Sequence, residues 1–157
     1  MTSKKLSRAH ISASLPNLHR SLIDIASTMA RPERDAAMLE LAGLPLERAL
    51  FPLLVMVERL GPIGVVDLAS RVGRDYSTVS RQVARLEELG LVARRASPTD
   101  ARVREAVITP EGEVANRAID SAREQLALGM FKDWSREDFD QLVQLMRRLA
   151  DAMTALD

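Results

Sequence analysis

At 157 residues and 46% apolar content, the chain has room for one substantial core or two small lobes and the composition of an ordinary globular protein. It contains no cysteine, which excludes disulfides, thiol catalysis, thiolate metal sites and cysteine-based redox sensing, and fits a reducing cytoplasm. Net charge is zero, which argues against a generally basic nucleic-acid coat, yet the distribution is uneven. From Arg71 to Arg104 eight arginines stand against Asp75, Glu87, Glu88 and Asp100, a local balance of +4 that the rest of the chain offsets with −4.

No stretch has the basic flank, apolar run and small-residue cleavage site of a secretory leader. No apolar run approaches the roughly 20 residues that span a bilayer, so a cytoplasmic protein with no membrane partner is expected. Residues 1–14, with Lys4, Lys5, Arg8 and His10 among small polar residues, lack a period and are expected to form a flexible arm. Pro16 marks a helix start. Behind it Leu18, Leu22, Ile25 and Met29 recur at steps of four, three and four, the seam of a helix that packs lengthwise on another. Arg31-Pro32 ends that helix. A short helix near 34–42 is closed by Gly43, and Pro45 begins another to about Leu60, kinked at Pro52 unless its regular part starts only at Phe51-Pro52. Residues 15–60 thus form a set of support and dimerisation helices.

Residues 61–112 read as helix, turn, helix and hairpin. Val65, Leu68, Ala69 and Val72 make the apolar face of a short helix, Gly73 turns the chain, and Asp75 or Ser77 caps a second helix whose apolar face is Val79, Val83 and Leu86. Thr78, Arg81, Gln82 and Arg85 fall together on the opposite face. Arginine can fork onto guanine, glutamine onto adenine, and hydroxyls onto phosphates or base edges. The alternative is a merely solvated helix face. Gly90 stops the helix, Leu91 to Arg95 reads as a strand, Ser97-Pro98-Thr99-Asp100 is turn chemistry, and Val103 to Thr109 returns as a second strand. Arg102 and Arg104 lie at or just past the hairpin tip, where a narrow minor groove would attract them. Asp100 is read as a structural partner of Arg94, Arg95 or Arg102.

Thr109-Pro110-Glu111 is a helix start with a hydroxyl cap, a proline at the first position and an acid at the positive end of the dipole; that helix is expected to reach about Lys132. Asp133 to Asp138 forms a break and restart capped by Ser135. On the last helix Leu142, Met146, Leu149, Met153 and Leu156 form a second lengthwise seam. Residues 113–157 are therefore expected to dimerise with the N-terminal helices, a homodimer being preferred to a monomeric bundle in which the two seams satisfy only each other.

The string DLASRVGRDYSTVSRQVARLEELGLVARRASPTDARVREAVITPEG resembles the winged-helix core of the multiple-antibiotic-resistance regulator (MarR) family. The matches are the LA pair, STVSR, LEELGLVARR, the Asp-x-Arg of Asp100 and Arg102, and the closing ITPEG. The resemblance implies a mainly α fold with a small β-hairpin wing, in which a winged helix-turn-helix lobe is flanked by N- and C-terminal dimerisation helices. It also implies a homodimeric regulator on a pseudopalindromic double-stranded DNA operator. By position, Ser77, Thr78, Ser80, Arg81 and Gln82 match the start of the recognition helix, Arg102 the wing arginine and Asp100 the acid that supports the wing. Arg74, Arg85 and Arg104 complete the expected DNA-binding set, with Arg94 and Arg95 as wing support. The chain departs from the common pattern at Ala101 and Ser97, where a basic residue and an acid are usual.

Many members resemble one-component sensors that release DNA on binding a small phenolic or aromatic carboxylate. His10, His19, Arg20 and Met29, with Arg31, are the candidates to line such a crevice; the alternative leaves His19 and Arg20 in solvent and Met29 in the core. The peroxide-sensing branch needs a cysteine this chain lacks. Enzyme chemistry is not expected. The two histidines are not spaced as a helical metal pair, no glycine-rich phosphate loop occurs, and adjacent acids such as Glu87-Glu88 diverge on a helix, so neither metal nor cofactor is anticipated. The competing function is a winged helix that binds protein instead of DNA.

Overall fold

The computed structural model describes residues 6–155. In chain order the elements are α1 (Arg8–Met29), α2 (Pro32–Leu41), a 3-10 turn (Arg48–Leu50), α3 (Phe51–Leu60), β1 (Ile63–Gly64), α4 (Val65–Val72), α5 (Tyr76–Glu88), β2 (Val92–Ala96), β3 (Arg104–Ile108), α6 (Pro110–Met130) and α7 (Arg136–Thr154). The fold is mainly helical with a small antiparallel sheet, as the sequence leads one to expect.

The core is built on α3, α4 and α5. Leu53, Leu54, Val57, Leu68, Val79, Val83 and Leu86 are fully buried there, joined by Val92 and Ala106 from the sheet and Ile119 from α6. Each fully buried leucine contributes about 1.5–3 kcal/mol relative to an exposed one, so this apolar cluster holds the lobe together. Gly73 closes α4 at φ +64°, a left-handed conformation that lets the chain turn directly into the Asp75 cap of α5. Gly112 is dictated by packing. A Cβ there would collide with the Leu91 carbonyl oxygen and the Ile108 side chain, so the first turn of α6 lies directly against the start of β2. Thr109 locks that junction: its hydroxyl donates to Gly90 O at 2.6 Å and accepts the Gly112 N–H at 3.0 Å.

Three expectations are corrected. Residues 8–14 are helical and belong to α1, whose cap is Ser7, its Oγ accepting the His10 N–H at 3.3 Å; Pro16 sits inside the helix. A proline there removes one intrahelical bond, but the carbonyl it leaves, on Ser12, is on an exposed helix open to water. The remainder of the expected arm, residues 1–5, lies outside the described residues. Second, no helix begins at Pro45; of the two readings of Pro52 the second holds, a 3-10 turn leading into α3, which starts at Phe51 with Pro52 in its first turn, where a missing N–H costs nothing. Third, the sheet has three strands, in the order β1-β3-β2, with Ile63 opposite Ala106 and Arg95 opposite Glu105. Two residues of β1 are too few to carry an alternating pattern.

Neither α1 nor α7 buries a single residue within the chain. Of the two seams, Leu18, Ile25, Met29, Met146 and Met153 are exposed, Leu22, Leu142 and Leu149 are half-buried, and Leu156 lies outside the described residues. The seams therefore do not satisfy each other inside one subunit.

Candidate nucleic-acid interface

Asp75 organises the start of α5. Its Oδ1 accepts the Thr78 N–H at 2.8 Å and the Ser77 hydroxyl at 2.6 Å, and its Oδ2 accepts the Thr78 hydroxyl at 2.7 Å. Those hydrogen bonds, the side-chain ones first, hold the Asp75 carboxyl well below the usual carboxylate range. Of the two caps left open by sequence, Asp75 is the one used. The Ser77 and Thr78 hydroxyl hydrogens are consequently committed to a carboxylate, and either must leave it before it can donate to a phosphate.

At about 100° per residue, the buried row Val79, Val83 and Leu86 sets the direction of every other side chain on α5. Ser77 and Arg81 point outward. Thr78, Gln82 and Arg85 rotate toward the segment before α3, and Ser80 and Glu87 toward the wing. The hydrogen bonds agree with this rotation. The Arg74 guanidinium donates to Ala49 O at 2.8 Å and Gln82 Oε1 at 3.0 Å. Arg85 pairs with Glu47 at 3.4 Å and Glu88 at 2.9 Å, and these bonds, Glu88's first, raise its pKa above the ordinary guanidinium value. Three members of the expected reading set, Arg74, Gln82 and Arg85, are thus tied into the lobe.

The wing shows a similar partition. Arg94 donates to Glu87 from its Nε at 2.8 Å and from its backbone N–H at 3.1 Å, which lowers the Glu87 pKa. Arg95 pairs across the ladder with Glu105 at 3.4 Å. Asp100 takes neither. Its Oδ1 accepts the backbone N–H of Arg102 at 3.0 Å, a local turn contact, so of the three partners left open Arg102 is the one it meets, through its backbone, while Arg94 and Arg95 do not serve it. The physical reason is reach: alternation along β2 aims Arg94 at α5 and Arg95 at the opposite face of β3, away from the tip. At the tip the buried Ser97 shares a 3.0 Å contact between its hydroxyl and that of Thr99, and its N–H donates to Val103 O at 2.9 Å. Ser97 and Asp100 hold the turn together without a second acid.

Among the described residues, Arg71, Arg81, Arg102 and Arg104 are the arginines of this stretch whose guanidinium has neither a carboxylate partner nor a hydrogen bond; Arg74 has no carboxylate either, but is held by Ala49 O and Gln82 Oε1. They stand at the end of α4, on the outward face of α5 and at the wing, all exposed.

The family model described as MarR family matches residues 46–103. Over 107 residues, 68% of this chain and 75% of the relative, the sequence is 35% identical to the uncharacterized HTH-type transcriptional regulator YxaD of Bacillus subtilis (strain 168). The chain belongs to the MarR family. A MarR family protein from Bacillus stearothermophilus has the same fold, with a TM-score of 0.70 at 23% identity over 91% of this chain and 97% of that one. The crystal structure of MarR is similar at a TM-score of 0.63 and 21% identity, over 99% of this chain and 97% of that one.

In this MarR-family chain the four expected effector residues do not come together. His10, His19, Arg20 and Met29 are all exposed on α1, and a helix from residue 10 to residue 29 is about 28 Å long, so no single small-molecule crevice touches all of them. Met29, 69% exposed, is not in the core of the single chain either. A groove of about 550 Å³ opens elsewhere, at the α6–α7 corner, lined by Leu128, Phe131, Lys132, Trp134, Arg136 and Phe139 among others. Phe131 meets Trp134 and Phe139 edge-on, with ring centroids 5.1 and 4.9 Å apart. Sequence reading treated 133–138 only as a helix break. The available signal was that three of the chain's five aromatic residues fall within positions 131–139.

Among the described residues no cluster of three or more His, Asp or Glu side chains could hold a metal ion, and no helix is long and apolar enough to cross a membrane.

Proposed function

We propose that this chain is a sequence-specific double-stranded DNA-binding transcriptional regulator, acting as a dimeric repressor. The observation that carries DNA binding is the partition of arginines. Arg74, Arg85, Arg94 and Arg95 are engaged within the lobe, while Arg71, Arg81, Arg102 and Arg104 on the helix-turn-helix and wing are unpaired among the described residues. In this reading Arg81, supported by Ser77 and Ser80, faces the major groove, and Arg102 and Arg104 track phosphates or the adjacent minor groove. Gln82, Arg74, Thr78 and Arg85 hold α5 in place; a contact from Gln82 to DNA would use its free amide N–H groups. No catalytic role is assigned.

Dimerisation is supported by the unburied seams of α1 and α7, for which a second copy is the natural cover. Release by a small aromatic carboxylate is proposed with them, the corner groove offering ring faces beside Lys132 and Arg136.

Selection of bound sequences from random DNA tests the central claim. A two-fold symmetric motif with half-sites about 10 base pairs apart, or a multiple of that, is expected; no enriched motif would favour a protein-binding winged helix. Truncation after Ser135 tests the dimer. The buried core contains no α7 residue, so the shortened lobe should stay folded while losing dimerisation in light scattering and operator binding in gel shifts. A truncated chain that remains a DNA-binding dimer refutes the arrangement. For the effector, benzoate-type acids should release the operator from the full chain at a concentration where aliphatic carboxylates do not.

A further inference from the structure

We infer that Tyr76 reads a base, its ring packing on the C5 methyl of a thymine in the major groove; this deepens, and rests on, the DNA-binding reading above. Tyr76 is the first residue of α5 and is 55% exposed. It is the chain's only tyrosine, and among the described residues the ring–ring contacts are those of the Phe131, Trp134 and Phe139 corner, with Tyr76 in none of them.

Its neighbours leave it little competition. The Ser77 and Thr78 hydroxyls donate to Asp75, the Gln82 oxygen is held by Arg74, and Arg85 lies between Glu47 and Glu88. On the first turns of α5, the side chains left without a hydrogen-bonding commitment among the described residues are Tyr76, Ser80 and Arg81. Helical side chains tilt toward the N-terminus, so Tyr76 projects past the end of α5, the end that enters the groove when such helices dock. Tyr76 and Ser80, four residues apart, share the flank that faces the wing. Thymine is the base that presents an apolar group in the major groove, and an aromatic ring is the matching surface.

The test uses the motif selected by the full-length protein. Each thymine is replaced singly by deoxyuridine, which deletes only the methyl group. The wild-type protein should lose about fourfold in affinity per half-site at one symmetric position, the value of a single buried methyl. Tyr76→Ala should bind more weakly and be indifferent to that replacement, while Tyr76→Phe should keep the sensitivity because the ring remains. The inference is overturned if no thymine position responds in the wild type, if Tyr76→Ala responds equally, or if Tyr76→Phe binds as weakly as Tyr76→Ala, which would make the contact a hydroxyl–phosphate bond. Failure of the wild-type protein to select any motif would instead remove the DNA-binding reading itself.

Discussion

The division of the arginines into paired and unpaired makes a quantitative prediction about salt. Each phosphate neutralised by a protein cation contributes about 0.9 to the slope of log affinity against log salt concentration on B-form DNA. Arg102 and Arg104 have no carboxylate partner among the described residues, and a dimer carries two copies of each. Arg102→Ala combined with Arg104→Ala should therefore flatten the slope by up to about 3.6 per dimer if all four charges meet phosphates. Removing Arg94 with Glu87, or Arg95 with Glu105, deletes one arginine per subunit but no net charge, because each pair already neutralises itself at 2.8 and 3.4 Å. Those double variants should leave the slope unchanged. Fluorescence anisotropy on the selected operator between 50 and 200 mM salt resolves the difference easily, since a slope change of about 3.6 amounts to roughly two decades in affinity over that range. The reasoning is refuted if deleting the Arg94–Glu87 pair flattens the slope as much as deleting the two wing arginines.

Three further predictions concern the lobe that presents these groups. Leu86→Ala empties a fully buried site on α5 and should cost about 2–5 kcal/mol in urea unfolding, enough to unfold a marginal domain. Gly112→Ala places a Cβ against the Leu91 carbonyl and should lower the melting temperature by several degrees, whereas Gly129→Ala, which meets no neighbouring atom, should not. Asp75 has a carboxyl pKa lower in the folded protein than its ordinary 3.8, so its stabilising effect is complete above that value and is lost as pH falls below about 4. Asp75→Asn should accordingly show a flatter stability profile between pH 5 and 2 than the wild type, measured by chemical unfolding; parallel profiles would discount the cap.

Much of this architecture is legible in the sequence because it rests on local signals. The apolar spacing of Val79, Val83 and Leu86, the αL glycine at 73 and the Thr109-Pro110 start all act within a turn or two of the chain. What the sequence hides depends on tertiary placement. Grouping Thr78, Arg81, Gln82 and Arg85 as one face ignores that the buried row is off-centre, which turns Gln82 and Arg85 toward Ala49 and Glu47, residues more than 30 positions earlier. Asp100 looked like an arginine's partner because four arginines lie within six positions of it, but strand alternation sends two of them elsewhere. Pro16 and β1 fail for opposite reasons: a proline is a strong helix-start signal, yet an exposed helix can run on ahead of it, and two residues of strand give no periodic signal at all.

The same junctions that build the lobe also fix how it is carried. Arg59 of α3 grips Asp120 of α6 with two contacts of 2.7 and 2.8 Å, and Arg123, one turn further along α6, holds the same carboxylate at 2.9 Å. Together with the Thr109 lock and the close approach at Gly112, the Arg59 contacts fasten the first part of α6 to α3 and to the turn that leads into β2. Beyond Ala122 the helix leaves the core and runs on to the aromatic corner. From Gly112 to Met130 this is a rigid arm of about 27 Å, so a tilt of only about 5° separates one end from the other by roughly 2 Å. A ligand or partner that shifts the corner need not deform the reading lobe to change DNA binding. In the dimer proposed above, a tilt of α6 that carried the lobe with it would change the distance between the two copies of α5 without deforming either lobe.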